Sequence, residues 1–195
     1  MRKIKMLPTG VNRHRCYCLF LAVILLQAAA SLCQAQTSRF AAVYYNRGNE
    51  RFRKGDLDGA IADYDAALTF DPRWALAYNM RGSARYNKGD LDVSVADYTR
   101  AIEIDPHLAL AHYNRGKARR DKGDLDRSIA DYELAIKSDP SFAKAYGNRG
   151  LARLFRGDMA AAEKDFDQCL MLDPKLKPSL EEEIDKAKRK LAARQ

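Results

Sequence analysis

The sequence is poor in the residues that build metal sites, nucleophilic triads and disulfide frameworks. Histidine occurs three times in 195 residues, at His14, His107 and His112. Three of the four cysteines, Cys16, Cys18 and Cys33, crowd into the first 33 residues, which leaves Cys169 alone in the rest. One thiol cannot form an internal disulfide, and no His/Cys/Asp set has metal-ligand spacing. No glycine-rich stretch has the form of a phosphate loop, and no serine sits in a nucleophile elbow. These absences predict no enzyme, no cofactor and no metal. Long apolar runs are scarce too: residues 16–26, CYCLFLAVILL, are the one continuous stretch, so a polytopic membrane protein is excluded. A hydrophobic fraction of 47% still supplies a core and excludes wholesale disorder.

The apolar run has a basic stretch before it and small residues after it. Arg2, Lys3, Lys5, Arg13 and Arg15 precede it without a single acid, and QAAASLCQA follows. That order is the form of a secretory signal over residues 1–35, with cleavage expected after Ala35 or, second, after Ala30. The alternative is a retained anchor, because residues 16–33 contain one Gln and reach the lower length limit for a span. Either way the basic end stays in the cytoplasm and the rest lies outside it. The expected location is periplasmic or secreted, or else the inner membrane with the remaining chain outside the cytoplasm.

Beyond a short linker at 36–40, the chain repeats with a period of 34. Asn46-Arg47-Gly48 recurs as Met80-Arg81-Gly82, Asn114-Arg115-Gly116 and Asn148-Arg149-Gly150. Lys54-Gly55-Asp56 recurs at 88–90 and 122–124, and as Arg156-Gly157-Asp158; Asp-Pro recurs at 71, 105, 139 and 173. The units are 41–74, 75–108, 109–142 and 143–176. Each reads as two helices. The first ends at the Gly turn, the following Asp can cap the second, and Pro stops the second. Small residues recur at the eighth position (Gly48, Gly82, Gly116, Gly150), the twentieth (Ala60, Ser94, Ser128, Ala162) and the twenty-seventh (Ala67, Ala101, Ala135, Cys169), where helices must approach closely. Cys169 therefore reads as a small buried hydrophobe, and His112 as a packed ring where its sisters are Tyr44, Tyr78 and Tyr146.

With aromatics at the twenty-fourth position (Tyr64, Tyr98, Tyr132, Phe166) and Pro at the thirty-second, residues 41–176 resemble the tetratricopeptide repeat. The resemblance implies an all-α, right-handed superhelical solenoid of antiparallel helix pairs. It also implies a concave face of first helices that binds a peptide or protein segment. Residues 177–195 do not make a fifth unit. Leu180, Ile184, Ala187 and Leu191 form one apolar stripe on an otherwise charged segment, which suits a capping helix.

Two sets of residues stand out. The seventh position is arginine throughout (Arg47, Arg81, Arg115, Arg149), as is the eleventh (Arg51, Arg85, Arg119, Arg153), and the twenty-third is Asp63, Asp97, Asp131 and Asp165. Equal phase predicts structural ion pairs between the two helices of each unit, since a desolvated arginine needs a partner. Positions two, five, six, nine and thirteen of the first helices share a face, which in the family lines the groove. That face carries Tyr45, Asn46 and Asn49; then Leu76, Asn79, Met80 and Ser83; then Leu110, Tyr113, Asn114 and Lys117; then Lys144, Asn148 and Leu151. Asn46, Asn114 and Asn148 share a phase, so their amides could hold an extended backbone in a row. The clamp for a carboxyl terminus found in some family members is matched at Asn114 and Lys144 only, with Asn79, Ser83 and Asn148 replacing the other three residues.

The expected function is a non-enzymatic adaptor for a protein or peptide partner. The alternatives are a self-associating scaffold or a membrane-anchored assembly factor. Net charge first suggests a polyanion partner: 34 basic residues face 26 acidic ones, for +8. Its location removes that reading. Residues 1–35 hold five bases and no acid, residues 175–195 hold seven bases and four acids, and residues 36–174 hold 22 of each. No nucleic-acid partner is expected, and a membrane is met only through the N-terminal segment if it is uncleaved.

Overall fold

The computed structural model describes residues 11–193, without the side chains of residues 11–23 and 28–35. Residues 1–10 therefore lie outside the described residues, as do the side chains of Arg13, His14, Arg15, Cys16, Cys18, Ala30, Cys33 and Ala35. The described part is a run of helices with no strand among them. α1 spans Val11–Arg53, α2 Leu57–Phe70, α3 Ala75–Lys88, α4 Leu91–Ile104, and α5 Ala109–Asp121. α6 spans Leu125–Ser138, α7 Ala143–Arg156, α8 Met159–Leu172, and α9 Lys177–Ala192, with a one-turn 3-10 helix at Pro174–Leu176 before α9. The second helices begin at Leu57, Leu91, Leu125 and Met159, 34 residues apart, as the sequence period requires. Residues 36–40, expected as a linker, lie inside α1. Gln-Thr-Ser-Arg-Phe contains neither Gly nor Pro, so nothing there stops the helix. Among the described residues no helix is long and apolar enough to cross a membrane.

The turns follow from particular residues. Gly55, Gly89, Gly123 and Gly157 end the first helices with φ between 82° and 96°, a region costly for a side chain with Cβ. Asp56 and Asp124 accept from the backbone N–H three residues on, at 3.0 and 3.4 Å, and cap α2 and α6. Asp90 and Asp158 were expected to do the same and do not. Asp158 instead takes the Arg156 guanidinium. Each Asp-Pro turn is closed by a second device. Asp71, Asp105, Asp139 and Asp173 accept from the N–H two residues on, at 3.0–3.1 Å.

Each helix from α1 to α8 packs on its neighbour in sequence, and α9 packs back on α7. First helices also touch across units, α1 with α3, α3 with α5 and α5 with α7, and second helices make no comparable contact. The first helices are thus closer together, and their side of the stack is the concave one. Inside each unit the ring at position twenty-four fills the space left by glycine at position eight. A Cβ on Gly82 would stand 2.8 Å from the Tyr98 ring, and one on Gly150 2.5 Å from Phe166.

The ends differ from the middle. Ala77, Ala111 and Ala145, and likewise Ala84, Ala118 and Ala152, are fully buried between units. Their counterparts in the first unit are Val43, 61% exposed, and Glu50, exposed as well. At the other end α9 covers the last unit. Leu180 and Ala187 are buried, and Ile184 and Leu191 pack beside them.

Candidate functional site

The structure separates the two residue sets of the sequence. The arginine ladder is internal to each unit. Asp63, Asp97, Asp131 and Asp165 are buried, and each carboxylate is shared by two arginines one turn apart. Arg81 and Arg85 close on Asp97 at 2.6 and 2.7 Å, Arg115 and Arg119 on Asp131 at 2.7 and 2.8 Å, and Arg149 and Arg153 on Asp165 at 2.6 and 2.9 Å. Arg47 and Arg51 hold Asp63 in the same way. A second series crosses between units: Lys88 to Asp58, Lys122 to Asp92, and Arg156 to Asp126. The ladder charges are neutralised inside each unit, whereas the second series links successive units through exposed carboxylates.

The groove residues divide between open and committed. Asn46 and Lys144 are exposed on the concave side. Tyr45 and Tyr113 are half-buried and belong to ring clusters. Tyr45 lies 4.5 Å from Trp74 and 5.9 Å from Tyr64, and Tyr113 lies 4.8 Å from Phe142 and 5.9 Å from Tyr132. Met80 packs against the Tyr64 cluster. Asn49 accepts from the Tyr64 hydroxyl at 2.8 Å, and Ser83 accepts from the Tyr98 hydroxyl at 3.3 Å while donating to the Asn79 carbonyl.

Two of the three asparagines in the row bond within the protein, and Asn46 stays exposed. Asn79 is buried and accepts from the Asn114 amide at 3.0 Å. Asn148 donates to the Tyr113 hydroxyl at 3.1 Å and accepts from Arg120 at 2.6 Å. Amides at position six reach position five of the preceding first helix, because these helices lie close on the concave side. Asn148 has both its amide nitrogen and its oxygen engaged, and Asn114 its amide nitrogen.

The concave side opens at its C-terminal half into a cavity of about 350 Å³. Its polar wall carries Tyr113, Lys117, Arg120, Lys144 and Asn148. The floor is apolar, from Leu151, Leu176, Leu180 and Cys169, and α9 adds Ser179 and Glu183. Gly147 lets the floor come close: a Cβ there would stand 3.1 Å from the Cys169 sulfur. Burial pushes the Cys169 thiol up, so it serves as floor and not as a nucleophile. Lys117 stands 4.5 Å over the Tyr86 ring. Burial holds its ammonium below the usual lysine range; Arg120 and Lys144 add to this, and Asp121 and Glu183 oppose it.

Two charged residues of this site escaped the sequence reading, and only Arg120 left a signal. Arg120 stands at position twelve, where the other units have Phe52, Tyr86 and Leu154. A cation at an otherwise apolar position marks a local purpose. Glu183 belongs to α9, whose apolar stripe announced only its packing.

A family model described as TPR repeat matches residues 48–89, 82–119 and 116–154, and another described as tetratricopeptide repeat matches 143–176. No curated protein sequence matches. Among solved structures, that of MamA aligns with a TM-score of 0.66 and 26% identity, covering 76% of this chain and 86% of that one. The first TPR of Spaghetti (RPAP3) bound to HSP90 peptide SRMEEVD aligns with a TM-score of 0.59 and 26% identity, over 60% of this chain and 93% of that one. The TPR domain of Arabidopsis OM64 aligns with a TM-score of 0.59 at 22% identity, over 60% of this chain and 98% of that one, a likeness of fold.

Proposed function

The chain belongs to the tetratricopeptide-repeat family, and from that premise we propose that it is a non-enzymatic adaptor that holds an extended segment of a partner protein in its concave groove. The observation that carries this reading is the cavity between α5, α7 and α9. It joins an apolar floor to a polar wall on the side where first helices converge. A concave, partly apolar site with a few placed polar groups is where binding energy can be gathered from a small surface. The peptide bound to the first TPR of Spaghetti supports the same use of the fold. The leader-like N-terminus supports a partner outside the cytoplasm.

Site-specific photo-crosslinking tests the groove. A crosslinking residue placed at Asn46 or Lys144, both exposed on the concave side, is expected to yield partner adducts. The same residue at Lys137, exposed on the second helix α6, is expected to yield none. Equal adducts from both faces would overturn the groove reading.

A further inference from the structure

Every half-buried arginine of the repeat units has an ion pair, and the cations without one are exposed, with a single exception. Both arginines of every ladder set are paired, as are Lys88, Lys122 and Arg156. Arg120 is paired with Asp121 at 3.2 Å and anchored to Asn148. Lys117 and Lys144 form no ion pair among the described residues, and both line the cavity. Lys117 is moreover half-buried, where an unmatched charge is disfavoured. Arg53, Lys54, Arg73, Lys137, Lys164 and Lys175 also lack an ion pair but are exposed; among the described cations Lys117 alone is half-buried without one, and exposed Lys144 stands with it on the cavity lining.

We propose that this cavity is the seat for a carboxylate side chain of an acidic partner segment, and that Glu183 of the cap helix limits how much negative charge it accepts. The proposal rests on the groove reading above and adds the chemistry of what sits there. Lys117 and Lys144 supply the two open cations, and Arg120, fixed between Asp121 and Asn148, extends the field without being free to move. A Glu side chain fits the remaining features. Its methylenes would lie on the Leu151 and Leu180 floor, and the Tyr113 hydroxyl and Asn148 amide stand beside the cations. Nucleic acid fits poorly. Strand binding needs a track of cations along many phosphates, and residues 36–174 are neutral as a whole with these cations counted. Glu183 enters from α9 as the one acid among the lining residues, so its carboxylate opposes an incoming one. It is held on the cap helix by Lys186, 3.6 Å away, and forms no ion pair with Lys117 or Lys144.

The test is fluorescence anisotropy of the full chain with octapeptides whose two termini are blocked, one of Leu and Glu and one of Leu and Gln. Blocking removes the terminal carboxylate, so only side chains are read. The Glu peptide is expected to bind about tenfold more tightly than the Gln peptide, the ratio for one charge-assisted contact. The preference should vanish in Lys117→Met/Lys144→Gln and widen in Glu183→Gln, with circular dichroism verifying that each variant is folded. Equal binding of the two peptides by wild type overturns the acidic seat while leaving the groove reading intact. A preference that survives the double variant also overturns it. A preference unchanged in Glu183→Gln overturns the role of the cap helix. A phosphorylated Ser peptide and a blocked single-stranded oligonucleotide serve as rivals, and tighter binding of either would reject the carboxylate as the occupant.

Discussion

Arg81 holds Asp97 with two parallel hydrogen bonds, Nε to Oδ2 at 3.0 Å and Nη2 to Oδ1 at 2.6 Å. The arrangement joins α3 to α4, and Arg85 adds a third bond to the same carboxylate at 2.7 Å. Asp97 is buried, while the two arginine side chains remain 16% and 21% exposed. Removing the carboxylate would strand both guanidinium groups, one of them still able to reach Asp65 at 2.5 Å. Asp97→Ala is therefore expected to lower stability by about 3 kcal/mol, the low end for a broken buried pair. Urea unfolding followed by circular dichroism measures it. A midpoint equal to wild type would show that these pairs do not hold the units together.

The glycine at position eight poses a choice between two effects. Alanine favours a helix over glycine by about 1 kcal/mol. At Gly116, however, its Cβ would stand 2.9 Å from Tyr132 Cε1 and 3.2 Å from the Asp131 Cβ. Tyr132 is fully buried and has nowhere to swing. The clash should win, since overpacking costs about 1–3 kcal/mol. Gly116→Ala is expected to melt below wild type, and a higher melting temperature would mean that the helix pair can separate at no cost.

The buried tyrosines are not equivalent, although they share a position. Tyr64 donates to Asn49 at 2.8 Å across the helix pair of the first unit, and Tyr98 donates to Ser83 at 3.3 Å across that of the second. In the third unit the partner position holds Lys117, which cannot accept. The Tyr132 hydroxyl is buried without a hydrogen bond; Ser128 is near enough to bear on its ionisation but lies outside bonding geometry. In the fourth unit the pair is Leu151 and Phe166, apolar on both sides. Tyr64→Phe should lose about 1 kcal/mol, the net worth of an ordinary hydrogen bond, and Tyr132→Phe should lose nothing or gain. Thermal unfolding of the two variants side by side decides it.

The repeat, its turns and its ion pairs were legible because each is written four times. A residue that recurs every 34 positions reveals its role by what stays constant beside it, as Arg81 and Asp97 do. The site was legible only in part, because it depends on where the repeats depart from one another. Asn114 and Asn148 share a phase with Asn46, yet only Asn46 lacks a preceding first helix to bond. Phase gave the face and could not reveal which amides were already engaged. Arg120 and Glu183 required knowing how α9 closes over α7, a contact between a repeat and a segment outside the period.

Lys117 carries a stability cost that the proposed seat would explain. Burial lowers its ammonium from the ordinary lysine value, which is the value it recovers on unfolding. Between the folded and unfolded values the unfolded chain binds more protons, so stability contributed through Lys117 rises with pH across that window and is lowest beneath it. Lys117→Met removes the charge while keeping the length of the side chain over Tyr86. The variant is expected to melt above wild type at pH 7, and the gap should narrow as the pH is raised towards 10.5, where wild-type Lys117 also loses its proton. Differential scanning calorimetry over that range reads both features. A gap that is absent at pH 7, or that widens with pH, would mean that Lys117 costs nothing where it stands.

The ends of the stack argue against growth by adding whole chains in the manner of repeats. Between units the contact is built on alanine: Ala84, Ala118 and Ala152 are all fully buried. The corresponding residue on the open face of the first unit is Glu50, and Val43 replaces the smaller Ala77, Ala111 and Ala145. Stacking another copy there would bury an unpaired carboxylate and wedge two methyl groups into a space that admits one. On the opposite face α9 turns Glu181, Glu182 and Lys186 outward, where they are exposed. A head-to-tail filament therefore meets charge on both sides of its joint. Light scattering across a wide concentration range should return a constant monomer mass. The informative variant is Glu50→Ala with Val43→Ala, which restores the interior pattern to the first unit and uncovers no new charge. If wild type already grows in mass with concentration and the double variant grows no further, the polar first face is not what keeps the chains apart.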